Sequence, residues 1–154
     1  MGVYYFDSSA LVKRYASEVG SPWVINLTDS QSRNDVFTAL VTGAEIVAAV
    51  ARKARMGSIT LQDAMAAIAA FKSHFRTDYL VVLLTAAIIE RAMDLAEKHG
   101  LRGYDAVQLA SALTVQDELG ANGVSLTVFV SADTNLNKAA QTEGLAVENP
   151  QDHP

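Results

Sequence analysis

Short apolar runs alternate with segments of helical periodicity along the whole chain. Residues 3–6 are β-branched or aromatic and are followed by polar residues, which predicts a first strand. The same pattern predicts strands within residues 36–41, over 79–84 and over 127–130, and an edge strand at 146–148. Because the run at 79–84 is apolar throughout, we expect it to be buried on both faces, as in a parallel sheet.

Apolar positions three and four residues apart predict helices between these strands. After the second strand, these positions are Ala44, Val47, Ala48 and Ala51, and Gly57 is placed to end that helix. Thr60 and Asp63 have the spacing of a capping box, which opens a helix whose predicted apolar face is Leu61, Met65, Ile68 and Phe75. Further helices are predicted over 9–17, 85–99, 104–119 and 135–142.

Strands that alternate with helices indicate an α/β fold with a mainly parallel central sheet. Helices cover both faces of such a sheet, so we expect a three-layer α/β/α sandwich. Ligands bind beyond the carboxyl ends of the strands in these folds. Polar side chains that directly follow strands are therefore the first candidates for a functional site.

Length and composition narrow the class of protein. The 154 residues fit one domain, and the absence of cysteine excludes disulfide frameworks and thiol nucleophiles. The apolar runs are too short to span a bilayer and the N-terminus does not resemble a signal peptide, so we expect a cytoplasmic protein without membrane contact. The net charge of −5 argues only weakly against nucleic-acid binding, because clustered acids reserved for metal ions lower the total.

Four acids occupy positions that converge in a parallel sheet. Asp7 and Asp133 directly follow predicted strands, Asp105 lies in the first turn of a helix, and Glu45 stands in an otherwise apolar helical segment. All four are expected to project toward the same edge of the sheet. Carboxylates that lie close together repel one another unless a cation lies between them, and their hard oxygen atoms suit Mg²⁺ or Mn²⁺.

Each acid taken alone also has a structural interpretation. Asp7 and Asp133 could simply cap helices, and Asp105 could be favoured by the dipole of its helix. Glu45 is harder to explain in this way, because glutamate is rarely buried without a partner. The functional interpretation rests on the four positions together.

Other chemistries find little support in the sequence. His74, His99 and His153 are not spaced for a zinc site or a catalytic triad, and no phosphate-binding glycine motif is present. An aspartyl-phosphate phosphatase would carry a second aspartate two residues after Asp7, where this chain has Ser9. A non-catalytic RNA- or protein-binding module with the same fold remains the alternative, and metal-dependent RNA cleavage distinguishes it from an enzyme.

Four stretches resemble the PIN-domain nucleases, and among them the VapC-type toxins of bacterial toxin–antitoxin pairs. They are FDSSALVK from residue 6, AEI from residue 44, LRGYDAVQLA from residue 101 and FVSAD from residue 129. The resemblance implies a metal-dependent endoribonuclease that cleaves RNA and is inhibited by a cognate antitoxin protein. It also implies a PIN-like domain over residues 1–150, a homodimer, and a disordered tail over 151–154 that has no counterpart in the pattern.

The same resemblance assigns roles to the acids. Asp7 and Asp105 are expected to bind the metal most directly, and Glu45 and Asp133 to complete the site, partly through water. Small hydroxyl residues often orient an acid in this family, and Ser9 and Ser131 stand at the matching positions. Candidate contacts for the RNA backbone are Arg14, Arg52, Lys53 and Arg55, although solvated surface charge explains each of these cations equally well.

Overall fold

A computed structural model describes residues 1–126 and 128–154 of the chain. The described residues contain a five-stranded sheet with strand order β3-β2-β1-β4-β5, and each neighbouring pair is parallel. The strands are β1 (Val3–Phe6), β2 (Asp35–Ala39), β3 (Leu80–Val82), β4 (Val128–Val130) and β5 (Val147–Glu148). The helices are α1 (Ser8–Leu11), α2 (Ser21–Thr28), α3 (Thr42–Arg55), α4 (Leu61–Thr77), α5 (Ala86–His99), α6 (Gly103–Ala121) and α7 (Thr134–Thr142).

Two hydrophobic clusters cover the two faces of the sheet. Successive residues of a strand point to opposite faces, so Tyr5 packs with Phe129 and with α5, α6 and α7. Phe6, the next residue, packs on the other face against α1, α3 and α4, among residues that include Phe71. This arrangement confirms the predicted three-layer α/β/α sandwich.

The strand order creates a switch point beside β1. The chain runs outward from β1 through β2 to β3, then returns to place β4 and β5 on the other side of β1. The carboxyl ends of β1 and β4 therefore lie side by side, and they are held by the Asp7 N–H, which donates to the Val130 carbonyl at 3.1 Å. In parallel α/β sheets, ligands bind at such switch points.

The region after β1 differs from the sequence prediction. The helix expected over 9–17 is only α1, extended by a 3₁₀ turn at Val12–Arg14, and a second helix, α2, follows it. Gly20 has a φ of +87°, and Pro22 lies in the first turn of α2, so the backbone changes direction here instead of continuing one helix. The pattern did not predict α2, because few of its positions are buried.

Two predicted apolar surfaces are also more exposed than expected. In α4 the helix buries Ala64 and Phe71, whereas Leu61 is 71% exposed and Met65 is 65% exposed. The apolar run at 79–84 forms β3, which is an edge strand and not a strand buried on both faces. Hydrophobicity alone did not predict which side of these elements contacts the core.

The last residues of the chain contact α2 and β5. Pro150–Asp152 form a 3₁₀ turn, and the His153 ring stacks on Trp23 at 4.3 Å between ring centroids. His153 Nε2 also lies 2.9 Å from a Glu148 carboxylate oxygen. Aromatic and polar partners therefore place the last residues against α2 and β5. Thr127, the first residue of the predicted fourth strand, lies outside the described residues.

Candidate active site

Asp7 is buried at the switch point, with only 3% of its surface exposed. It caps α1 by accepting a hydrogen bond from the Ala10 N–H at 3.0 Å. Its two carboxylate oxygens also accept from the Ser9 hydroxyl at 2.8 and 2.9 Å, and Oδ2 accepts from the Ser131 hydroxyl at 2.8 Å. The pKa of Asp7 is raised to about 7: burial is the largest cause, the hydrogen bonds oppose the rise, and the charge of Asp105 adds to it.

Ser9 and Ser131 connect the segments that follow β1 and β4. Ser9 Oγ accepts a hydrogen bond from the Ala132 N–H at 2.9 Å, and Ser131 Oγ accepts one from the Asp133 N–H at 3.1 Å. The two hydroxyls therefore bond both to Asp7 and to the backbone that presents Asp133. This geometry is the one expected of residues that orient an acid.

Glu45 lies in the first turn of α3 and belongs to a buried hydrogen-bond network. Its Oε1 accepts from the Ser8 hydroxyl at 2.8 Å and from Gln108 Nε2 at 3.0 Å. Gln108 Nε2 is also 2.9 Å from Thr42 Oγ1, and Gln108 Oε1 accepts from the Tyr5 hydroxyl at 2.8 Å. Glu45 is therefore held by uncharged donors on α1 and α6, and Tyr5 of β1 and Thr42 of α3 hold Gln108 in turn.

Gln108 is a site residue that the sequence prediction missed. It follows Asp105 by three residues and so lies on the same face of α6. The signal in the sequence was an amide inside the apolar stretch AVQLA. In the structure only 2% of Gln108 is exposed. A buried amide needs partners, and here those partners surround Glu45.

Asp105 and Asp133 are joined by a cation from the same chain. Arg102 Nε lies 3.1 Å from Asp105 Oδ2, and Arg102 Nη2 lies 3.4 Å from Asp133 Oδ2. Burial raises the pKa of Asp105, Arg102 lowers it and the charge of Asp133 raises it. Asp133 also caps α7 through the Leu136 N–H at 3.0 Å.

The four acids supply only oxygen ligands, which suit a hard divalent ion. In residues 1–126 and 128–154, no three side chains of Asp, Glu or His are grouped as a metal-holding cluster. The partners of the carboxylates are hydroxyls, backbone N–H groups, the Gln108 amide and the Arg102 guanidinium. Arg102 already places a positive charge between Asp105 and Asp133, so this part of the site accommodates a cation.

A groove of about 380 Å³ opens beside Glu45. Its lining includes Glu45, Arg52 and Tyr104, and the Tyr104 side chain is 64% exposed. Arg52 is thus the predicted cation that reaches this groove. Arg14 instead donates to the Thr28 carbonyl at 2.6 Å, and Lys53 pairs with Glu18 at 2.6 Å, outside the groove lining. Arg55 lines a separate, mostly apolar groove between α3 and α4.

Comparison with known proteins identifies the family. Residues 4–141 match the PIN domain. The chain belongs to the PIN-domain family. It is 34% identical over 151 residues to the proteins named Ribonuclease VapC45 and Ribonuclease VapC49, from two strains of Mycobacterium tuberculosis, and the match covers 98% of this chain and 98% of each relative.

Solved structures share the fold at lower sequence identity. PAE2754 from Pyrobaculum aerophilum has a TM-score of 0.64 and 18% identity, covering 99% of this chain and 86% of its own. VapBC2 from Rickettsia felis, bound to a promoter DNA fragment, has a TM-score of 0.59 and 14% identity, covering 96% of this chain and 98% of its own.

Among the residues that the structure describes, no helix combines the length and apolar character needed to cross a membrane.

Proposed function

We propose that this PIN-domain protein is a metal-dependent endoribonuclease and the toxin of a toxin–antitoxin pair. The observation that carries the proposal is the position of Asp7. Its carboxylate is buried at the switch point of the sheet, close enough to Asp105 for that charge to raise its pKa. The names of the 34% identical relatives support RNA as the substrate. We propose that residues 1–150 form the nuclease domain.

In the proposed mechanism, Asp7 and Asp105 hold Mg²⁺ or Mn²⁺, with Glu45 and Asp133 completing the site. When bound, the divalent ion supplies an activated water and offsets the charge that develops on the attacking and leaving oxygens. Ser9 and Ser131 keep the Asp7 carboxylate oriented. Because this chemistry does not use the 2′-hydroxyl, the expected products carry a 5′-phosphate and a 3′-hydroxyl.

The groove beside Glu45 is the proposed path of the RNA. Arg52 supplies a positive charge for a backbone phosphate. The exposed Tyr104 ring offers a surface on which an unpaired base can stack. Single-stranded RNA is the substrate class that uses both features.

We further propose that the protein forms a homodimer and binds an antitoxin. Solved neighbours include toxin–antitoxin assemblies such as VapBC-1 from nontypeable Haemophilus influenzae. An antitoxin could inhibit by placing an arginine among the carboxylates. Co-expression with the adjacent gene should yield a complex with suppressed nuclease activity, whereas a freely active protein that captures no such partner contradicts this part of the proposal.

The test of the nuclease function is cleavage of single-stranded RNA by the purified protein in Mn²⁺ and in EDTA. Wild type should cleave only with the metal, and Asp7→Asn should lose cleavage. Asp29→Asn is the matched control, because Asp29 also caps a helical turn, through the Gln31 N–H at 2.8 Å, and belongs to no part of the proposed site. Full activity in EDTA would refute the metal mechanism, and RNA binding without cleavage would favour the non-catalytic module.

A further inference from the structure

Arg102 is the only charged partner that the described structure gives to the acids of the site. It lies immediately before α6, three residues before Asp105. Its guanidinium reaches one oxygen of Asp105 and one of Asp133, at 3.1 and 3.4 Å. Asp7 and Glu45, by contrast, are bonded to hydroxyl, amide and backbone N–H donors.

We infer that Arg102 is an internal counter-ion of Asp105 and Asp133. A divalent ion must displace Arg102 in order to bind these two carboxylates. This inference rests on the proposed function, since it concerns the ion that the nuclease site is proposed to take. Arg102 and the divalent ion bind the same two carboxylates, so they compete. Arg102 thereby sets the metal concentration at which the site is loaded.

The surroundings of Arg102 make it displaceable. Its side chain is 84% exposed, and ion pairs in solvent are weak because water and salt screen them. When the guanidinium leaves, water solvates it, and no buried donor is left without a partner. The Ser9, Ser131 and Gln108 donors are buried or half-buried and carry no charge, so they can stay in place beside a bound ion.

Calorimetric titration with Mn²⁺ tests the competition in four proteins: wild type, Arg102→Gln, Arg102→Lys and Arg91→Gln. Arg91→Gln is the matched control, because it removes the same charge from an exposed pair with Asp117 at 2.8 Å, which is outside the site. Losing an exposed competitor should tighten the Kd of Arg102→Gln by roughly two- to fivefold. Arg91→Gln should bind as wild type does, and Arg102→Lys should lie between, because lysine lacks the fork that reaches two carboxylates.

A second readout follows Arg102 itself. In ¹⁵N NMR spectra, the Arg102 Nε–H signal is assigned by its loss in Arg102→Gln, and it should shift and exchange faster with water when Mg²⁺ is added. An unchanged Arg102 signal at saturating Mg²⁺ overturns the inference. So does a calorimetric Kd equal to that of wild type in either Arg102→Gln or Arg102→Lys. These outcomes leave the proposed nuclease intact, whereas a wild-type protein that binds neither ion overturns both.

Discussion

Replacing Asp7 with asparagine separates its role as a helix cap from its role as a charged group. Asparagine caps helices about as well as aspartate. Its side chain can accept the Ala10 N–H and share hydrogen bonds with the Ser9 and Ser131 hydroxyls, so the packing is retained. What the substitution removes is the buried negative charge.

The size of the effect follows from the pKa of Asp7, which burial raises from 3.8 to about 7. The folded protein therefore holds a proton that the unfolded chain releases, and wild-type stability falls as the pH rises from about 4 to about 7 and then levels off. This rise in pKa lowers the stability of the folded wild type by about 4 kcal/mol above pH 7 and by about 1.5 kcal/mol at pH 5. Below about pH 3.8 both states are protonated and the contribution vanishes.

Asp7→Asn should therefore be more stable than wild type in EDTA, by up to about 4 kcal/mol at pH 8. For a chain of this length, that gain raises the Tm by roughly 8–16 °C. Adding Mn²⁺ should stabilise wild type more than the variant, because a ligand stabilises the fold according to its affinity for the folded state.

The assay is thermal and urea unfolding at several values between pH 5 and pH 8, in EDTA and in Mn²⁺, beside RNA cleavage. Asp29→Asn is again the control, because it changes an aspartate cap outside the site. If the stability difference between Asp7→Asn and wild type stays constant across this pH range, the buried charge is not the cause. If the variant also keeps cleavage and the full Mn²⁺ response, Asp7 is only a cap.

Three further substitutions examine the rest of the site. Gln108→Leu should destabilise the fold by about 2–3 kcal/mol in urea unfolding, because Glu45 and its neighbours lose a buried partner, and it should reduce kcat. Asp133→Asn should lower cleavage less than Asp7→Asn does and should weaken Mn²⁺ binding in calorimetry. Arg52→Ala should raise the KM for RNA several-fold with kcat retained, and reduce the salt dependence of binding, whereas Arg76→Ala, an exposed cation at the far end of α4, should change neither. An Arg52→Ala protein with unchanged KM would show that the RNA follows another path.

The architecture could be predicted from the sequence because its signals are local. The strands β1, β3 and β4 are short apolar runs, and Gly100 ends α5 in a left-handed conformation, as a glycine after a helix typically does. The face that each element buries depends on its neighbours in three dimensions. Leu61 and Met65 fit a helical stripe, yet the core receives Ala64 and Phe71 instead. For the same reason, hydrophobicity could not predict that the strand at Leu80 lies at an edge.

The site was predictable to the extent that topology decides it. An acid that directly follows a strand must lie at the carboxyl edge of a parallel sheet, which gives the positions of Asp7 and Asp133. The partners of those acids depend on contacts over long separations in sequence, such as Ser131 with Asp7, 124 residues apart. Gln108 and Arg102 were missed for this reason, although both belong to the stretch that carried the family resemblance.

The capping and functional interpretations of the acids are compatible. Asp7 and Asp133 both accept a backbone N–H at the start of a helix, so the structural interpretation is correct for each. A cap, however, requires only one oxygen and no burial, and Asp7 is buried with both oxygens bonded to hydroxyls from two segments. Holding a charge in that place opposes folding, because burial disfavours the ionised form. A cap alone gives no reason to retain aspartate over asparagine here, whereas a site that binds a cation does.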